Sequence, residues 1–89
     1  MLLHLGEDIV IKSHEIIAIL DYNALYESKD IELFLDVQKK ENNVRDLSED
    51  HPKSIVITDK LVYISPLSST TLKKRANDRA ELEQGWYLK

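Results

Sequence analysis

The stretch SIVITDKLVYISPLSSTTLKKRA, residues 54–76, decides the fold. Two runs rich in Ile, Val and Tyr, SIVIT and LVYIS, flank Asp59-Lys60, a composition that predicts two strands joined by a tight hairpin. Pro66 closes the second strand, because it has no N–H to give to a ladder. Ser68 or Ser69 then offers a side-chain oxygen to the first N–H groups of a helix, which is expected to continue to about Gln84. Alternation along the two strands should bury one face, with Val56 and Ile64 pointing into the core.

Working outward, MLLHL, DIVIK and EIIAILDY read as three further short strands. Gly6, Glu7 and Asp8 mark the first turn, and Lys12, Ser13 and His14 the second. Ser28 is placed to cap a helix running to Lys40, with Asp30 near its positive end. In that helix Ile31, Phe34 and Leu35 form one apolar set, while Leu33 and Val37 lie well away from it at about 100° per residue. A helix apolar on more than one side is deeply buried or covered by a partner. In so short a chain the partner is expected, so Leu33 and Val37 are assigned to an oligomer interface. Glu41 to Lys53 is polar and charged and is expected to be irregular and mobile. The expectation is one α+β domain over residues 1–89: a mostly antiparallel sheet of about five strands with two helices.

Composition narrows the function classes. With 43% hydrophobic and 31% charged residues, the 89-residue chain can fold and stay soluble. It has no cysteine, which rules out disulfides and thiolate metal sites. Its apolar runs fall short of the roughly 18 residues a membrane span needs, and no cleavable signal peptide is visible at the start, so a cytoplasmic protein is expected. His4, His14 and His51 are scattered, without partners at metal-ligand spacing. Neither a G-x-S-x-G elbow nor a glycine-rich phosphate loop occurs. No enzymatic activity, cofactor or metal is expected.

The charge is uneven. The net charge is −4, yet residues 21–52 hold nine acids and four bases, whereas residues 65–80 hold four bases and one acid. An acidic chain repels nucleic acid on average, so any such contact must come from a local patch. The candidates are Lys53, Lys73, Lys74, Arg75 and Arg79. On the last helix Leu72, Ala76 and Ala80 form a narrow stripe suited to close packing, with Arg75 and Arg79 adjacent at i,i+4 and Lys73 and Lys74 on other sides. Asp78 is within reach of Lys74 or Arg75. From the residues alone two readings stand: a phosphate-binding surface, or bases that simply solvate a helix.

HLGEDIVIKSHEIIAILDY near the start and PKSIVITDKLVYISPLSSTTLKKRA from Pro52 to Ala76 together resemble the small bacterial Rem family of biofilm extracellular-matrix regulators, most closely its RemB-type branch. The resemblance covers about half of the chain, and the order of hairpin, SPLSS junction and LKKRA helix is its more specific part. It implies a cytoplasmic transcriptional regulator that assembles into a homo-oligomeric ring and binds double-stranded DNA. A ring interface would also cover the second apolar stripe of the first helix. In the RemA-type pattern, DNA-contacting arginines precede the third strand and the SIVIT-like strand. Here those places read Glu15 and Asp50-His51, with Lys53 the nearby base. Two functions follow: a regulator contacting DNA through Lys53 and the 73–79 bases repeated around a ring, or an interaction module that acts through a protein partner without holding DNA.

Overall fold

The structure, a computed structural model, describes the backbone of residues 2–84 and the side chains of residues 2–76. Among the described residues the chain runs β1 (Leu2–Gly6), β2 (Ile9–Lys12), a 3-10 turn (Ser13–Glu15), β3 (Ile16–Asp21), α1 (Ala24–Glu27), α2 (Lys29–Lys40), β4 (Val44–Asp46), β5 (Ser54–Thr58), β6 (Val62–Ser65) and α3 (Ser69–Gln84). The α+β class is as expected, but the strands form two sheets, a β1-β2 hairpin and a four-stranded sheet in the order β3-β5-β6-β4. All neighbouring strands are antiparallel except β4 and β6.

Local chemistry explains the boundaries. The Ser28 hydroxyl accepts from the Ile31 amide at 3.3 Å and caps α2, whose first turn carries Asp30 and Glu32 and whose last carries Lys39 and Lys40. This charge order matches the helix dipole at both ends. Asn42, in the left-handed region at φ 63, turns the chain out of α2, a conformation asparagine tolerates well. Of the two candidate caps for α3, Ser68 is the one used. Its hydroxyl accepts from the Thr71 amide at 3.1 Å, while Ser69 is buried. The β5–β6 turn is held by Thr58, whose amide and hydroxyl both donate to the Leu61 carbonyl.

The four-stranded sheet is covered on both faces. On one face Ile19 and Val56 pack with Leu3, Leu5 and Ile11 of the hairpin, Leu72 of α3 and Leu47. On the other, Ile55, Val62 and Ile64 pack with Leu35 of α2. Val56 and Ile64 are therefore both buried, as expected, but they serve opposite faces. The expectation of a single buried face is corrected: SIVIT is a central strand between two layers, which is why it is apolar at consecutive positions.

The stretch expected to be irregular and mobile is corrected as well. Val44–Asp46 forms β4 beside β6, and Leu47 is buried, its amide donating to the Ile64 carbonyl at 2.8 Å. Asp46 Oδ1 accepts from both the amide and the hydroxyl of Ser48, at 2.9 and 2.6 Å, pinning the turn that follows.

The SPLSS junction joins the layers through two fully buried serines. The Ser65 hydroxyl donates to the Leu5 carbonyl of β1 and accepts from the Leu67 amide, and the Ser54 hydroxyl donates to the Leu67 carbonyl at 2.8 Å. Gly6 lies against Pro66 with φ +138, and a Cβ there would meet Pro66 Cδ at 2.9 Å. The junction thus fixes both where α3 starts and how the hairpin docks.

Candidate nucleic-acid interface and assembly surface

Lys53 is positioned by its backbone. Its amide donates to the Ser65 carbonyl at 2.9 Å, and its carbonyl accepts from the Tyr22 amide at 3.0 Å, so it extends the β3-β5-β6 ladder by one row. The exposed side chain lines a cleft of about 200 Å³ with Asp21, Tyr22, Asn23, Pro52 and Ser68, the cap of α3. The structure thus brings Lys53 to the positive end of α3, where backbone N–H groups and the helix dipole favour an anion.

Lys73, Lys74 and Arg75 follow one turn into α3 and are all exposed. Leu72 is fully buried and Ala76 packs against the same core, so the inward stripe of the helix is narrow. The three bases therefore fan across about 200° of its outer surface at 100° per residue. Arg79, Ala80 and the pairing expected of Asp78 lie outside the described side chains.

Acids border this region. Asp21 lines the same cleft as Lys53, its Oδ1 accepting from the Asn23 amide at 2.8 Å. Glu49 and Asp50 are exposed and take positive φ of 51 and 73. The Tyr22 hydroxyl titrates above its ordinary value of 10.0, first because burial disfavours the phenolate, then because Tyr26 and Asp46 add negative charge nearby. The Tyr22 and Tyr26 rings meet edge to face at 6.3 Å between centroids.

The second candidate surface lies on the other side of the sheet. Leu35 points into the core, and Leu33 and Val37, about 160° around the helix from it, are 54% and 49% exposed. The structure thus places both residues assigned to an interface together on open surface. Phe34, expected in the buried set, is instead exposed beside a groove of about 390 Å³ lined by Ile17, Leu20, Asp30, Ile31, Phe34 and Ile57. Ile17 was not singled out from the sequence. It is the extra residue of a bulge on β3, an edge strand, and is 68% exposed. The bulge interrupts the regular backbone pattern that another strand would need in order to pair there.

Among the described residues no group of three metal-ligating side chains is assembled, and no helix is long and apolar enough to cross a membrane.

Comparison with known proteins places this architecture. Residues 2–76 match the family model described as RemA-like, Extracellular matrix regulatory protein A-like. The chain is also 42% identical over 83 residues to the Extracellular matrix regulatory protein B of Bacillus subtilis (strain 168), a match covering 93% of this chain and 99% of that protein. The family match runs from β1 through both layers of the core to the basic turn of α3: the chain belongs to the RemA-like family of extracellular matrix regulatory proteins, and to its B-type branch.

Proposed function

We propose that this protein is a cytoplasmic, non-enzymatic regulator of biofilm extracellular-matrix gene expression. It assembles with copies of itself into a ring and holds double-stranded DNA through Lys53 and the Lys73-Lys74-Arg75 turn repeated around that ring. The observation that carries the reading is the placement of Lys53 at the capped N-terminus of α3, one turn before three exposed consecutive bases. Arg79, at i,i+4 from Arg75, continues the basic sequence along the same helix.

Chemically this is a phosphate surface. Lysines act as point charges, Arg75 as a two-pronged donor, and the helix end adds N–H groups. Such contacts position DNA and carry no base sequence by themselves. One patch of this size is weak, but repetition on a ring raises the effective affinity without any new contact.

The test is a mobility shift of duplex DNA at several salt concentrations, run beside a light-scattering mass, on the wild type and Lys74→Ala/Arg75→Ala. Each phosphate contact contributes about −0.9 to the slope of log K against log salt, so losing two should flatten it by about 1.8. The mass should not change. Equal slopes for the two proteins would refute the phosphate role. A variant that loses its mass first would reassign Arg75 to the subunit contact.

A second reading is favoured by Glu49, Asp50 and Asp21, which oppose phosphate close to Lys53. In it the same assembly reaches transcription through a protein partner, and neither protein in the test binds DNA.

A further inference from the structure

We infer that Thr70 is a phosphorylation site: a phosphoryl group on its hydroxyl pairs with Lys73 and Lys74 and withdraws them from DNA. This rests on the phosphate-surface reading above and supplies its regulation.

The run from Ser65 to Thr71 carries five hydroxyls, and four of them are bonded or buried. Ser65 holds Leu5 and Leu67, Ser68 caps α3 and donates to Thr71 Oγ1 at 2.8 Å, and Ser69 is buried. Thr70 is the exception. It is exposed, and its hydroxyl enters none of the hydrogen bonds that hold the junction. A kinase can therefore reach it, and a group added there displaces nothing.

Its neighbours supply the other half of the argument. Thr70 is the second residue of α3, so Lys73 and Lys74, at i+3 and i+4, share its side of the helix. Both lysines are exposed, and among the described residues neither has an acidic partner. A phosphothreonine brings a charge of about −1.5 to −2 at neutral pH and three acceptor oxygens, enough to neutralise two ammonium groups. The first turn of a helix also favours negative charge. Arg75 lies about 140° round the helix from Thr70 and keeps its own direction.

The donor is ATP, delivered by a serine/threonine kinase. The Thr70 oxygen bonds to the γ-phosphorus as the bond from that phosphorus to the β,γ-bridging oxygen breaks. ADP leaves, and the hydroxyl proton passes to the catalytic carboxylate of the kinase. Hydrolysis by a phosphatase restores the hydroxyl, so the change is reversible.

The acceptor is tested first. Wild type and Thr70→Val are incubated with Mg-ATP and a purified bacterial serine/threonine kinase domain, and the peptide from Leu61 to Lys73 is sequenced by mass spectrometry. Phosphate should appear on Thr70 of the wild type and nowhere on that peptide of Thr70→Val. Phosphate confined to Ser68, Ser69 or Thr71, or no phosphate, would overturn the acceptor. The consequence is tested on protein carrying phosphothreonine at position 70, made by semisynthesis. Phosphorus NMR should place its second pKa below the ordinary value of about 6, and Lys73→Ala/Lys74→Ala should bring it most of the way back. In the mobility shift the salt slope should flatten by about 1.8 and affinity should fall by about tenfold, as two phosphate contacts are lost. Thr70→Val should bind as the wild type does. An ordinary pKa, or a salt slope equal to that of a DNA-binding wild type, would overturn the switch. A wild type that binds no DNA would overturn the phosphate-surface reading instead, and the NMR titration would still decide whether the phosphate takes the two lysines.

Discussion

Replacing Gly6 with alanine tests the junction that ties the hairpin to the rest of the fold. Two costs arise at one position. Gly6 has φ +138, a region that residues with a Cβ rarely adopt, and forcing it costs about 1–3 kcal/mol. The new Cβ would also sit 2.9 Å from Pro66 Cδ and 3.2 Å from Pro66 Cγ, inside ordinary contact, with Leu47 Cβ behind them at 3.9 Å. The pyrrolidine ring cannot rotate away as a flexible side chain would, so overpacking adds about 1–3 kcal/mol. A single backbone shift relieves part of both, which puts the total near 3 kcal/mol by order of magnitude. For a domain this size that lowers Tm by about 12–24 °C. Thermal unfolding by circular dichroism at fixed protein concentration reads it directly. Pro66→Ala in the Gly6→Ala background removes Cγ and Cδ and should recover the contact part while leaving the backbone part. A Gly6→Ala protein that melts within about 2 °C of wild type would refute both the close approach and the strained φ.

Three further outcomes follow from the packing and the titration. Val56→Ala should cost about 1–3 kcal/mol and Ile64→Ala about 2–4 kcal/mol. Because they serve separate cores, the double variant in denaturant unfolding should equal their sum to within about 0.5 kcal/mol; strong coupling would mean a shared core. Ser65→Ala leaves the buried Leu5 carbonyl and Leu67 amide without their hydroxyl partner and should cost about 1–3 kcal/mol. An unchanged denaturation midpoint would remove the serine from the junction. Tyr22 has a folded-state pKa raised above its unfolded value, so its contribution is complete below pH 10.0 and is lost as pH rises through the folded pKa. Stability should thus fall with alkaline pH, and Tyr22→Phe should fall less steeply over the same range. Parallel curves would contradict the raised titration of Tyr22.

What the sequence made legible was local. The Ser28 and Ser68 caps, the Asp59-Lys60 turn and the end of β6 at Pro66 each rest on a few neighbouring residues whose chemistry has one good solution. β4 was hidden because three residues, Val44, Arg45 and Asp46, become a strand only by lying parallel to β6, a partner 18 positions away in the register. Leu47 was hidden for the same reason: an isolated apolar residue in a polar stretch says nothing until a carbonyl as remote as that of Ile64 receives its amide. The two-sided burial of the sheet was available in principle, since Ile55, Val56 and Ile57 are consecutive apolar residues, the mark of a strand covered on both faces. At the candidate site, the exposure of Lys73 to Arg75 followed from the narrow Leu72–Ala76 stripe. The meeting of Lys53 with the cap of α3 did not, because it depends on the pairing of Lys53 with Ser65 and Tyr22. Ile17 reads like its neighbours in EIIAIL, and only the edge position of β3 and its bulge turn it outward.

The acidic loop bears on both functional readings, and its rigidity sets how. Leu47 anchors one side, Asp46 holds Ser48 through two hydrogen bonds, and the His51 amide donates to the Ser48 carbonyl at 3.0 Å. Glu49 and Asp50 are thus held out on a fixed turn. Asp50 precedes Lys53 by three residues, so their Cα atoms are at most about 11 Å apart. That is close to one Debye length at 0.1 M salt. Phosphate approaching Lys53 therefore feels these carboxylates at low salt and progressively less as salt rises. Counterion release works in the opposite sense, weakening contact as salt rises. The two effects oppose each other at Lys53, while the bases of α3, further along the chain, are governed more by the second. On the DNA reading, the salt slope should then carry less than the full count of exposed bases, and DNA should rest mainly on α3, with the loop fixing which side it approaches from. On the partner reading the signs reverse: a basic partner is drawn to Glu49 and Asp50, and α3 stands aside.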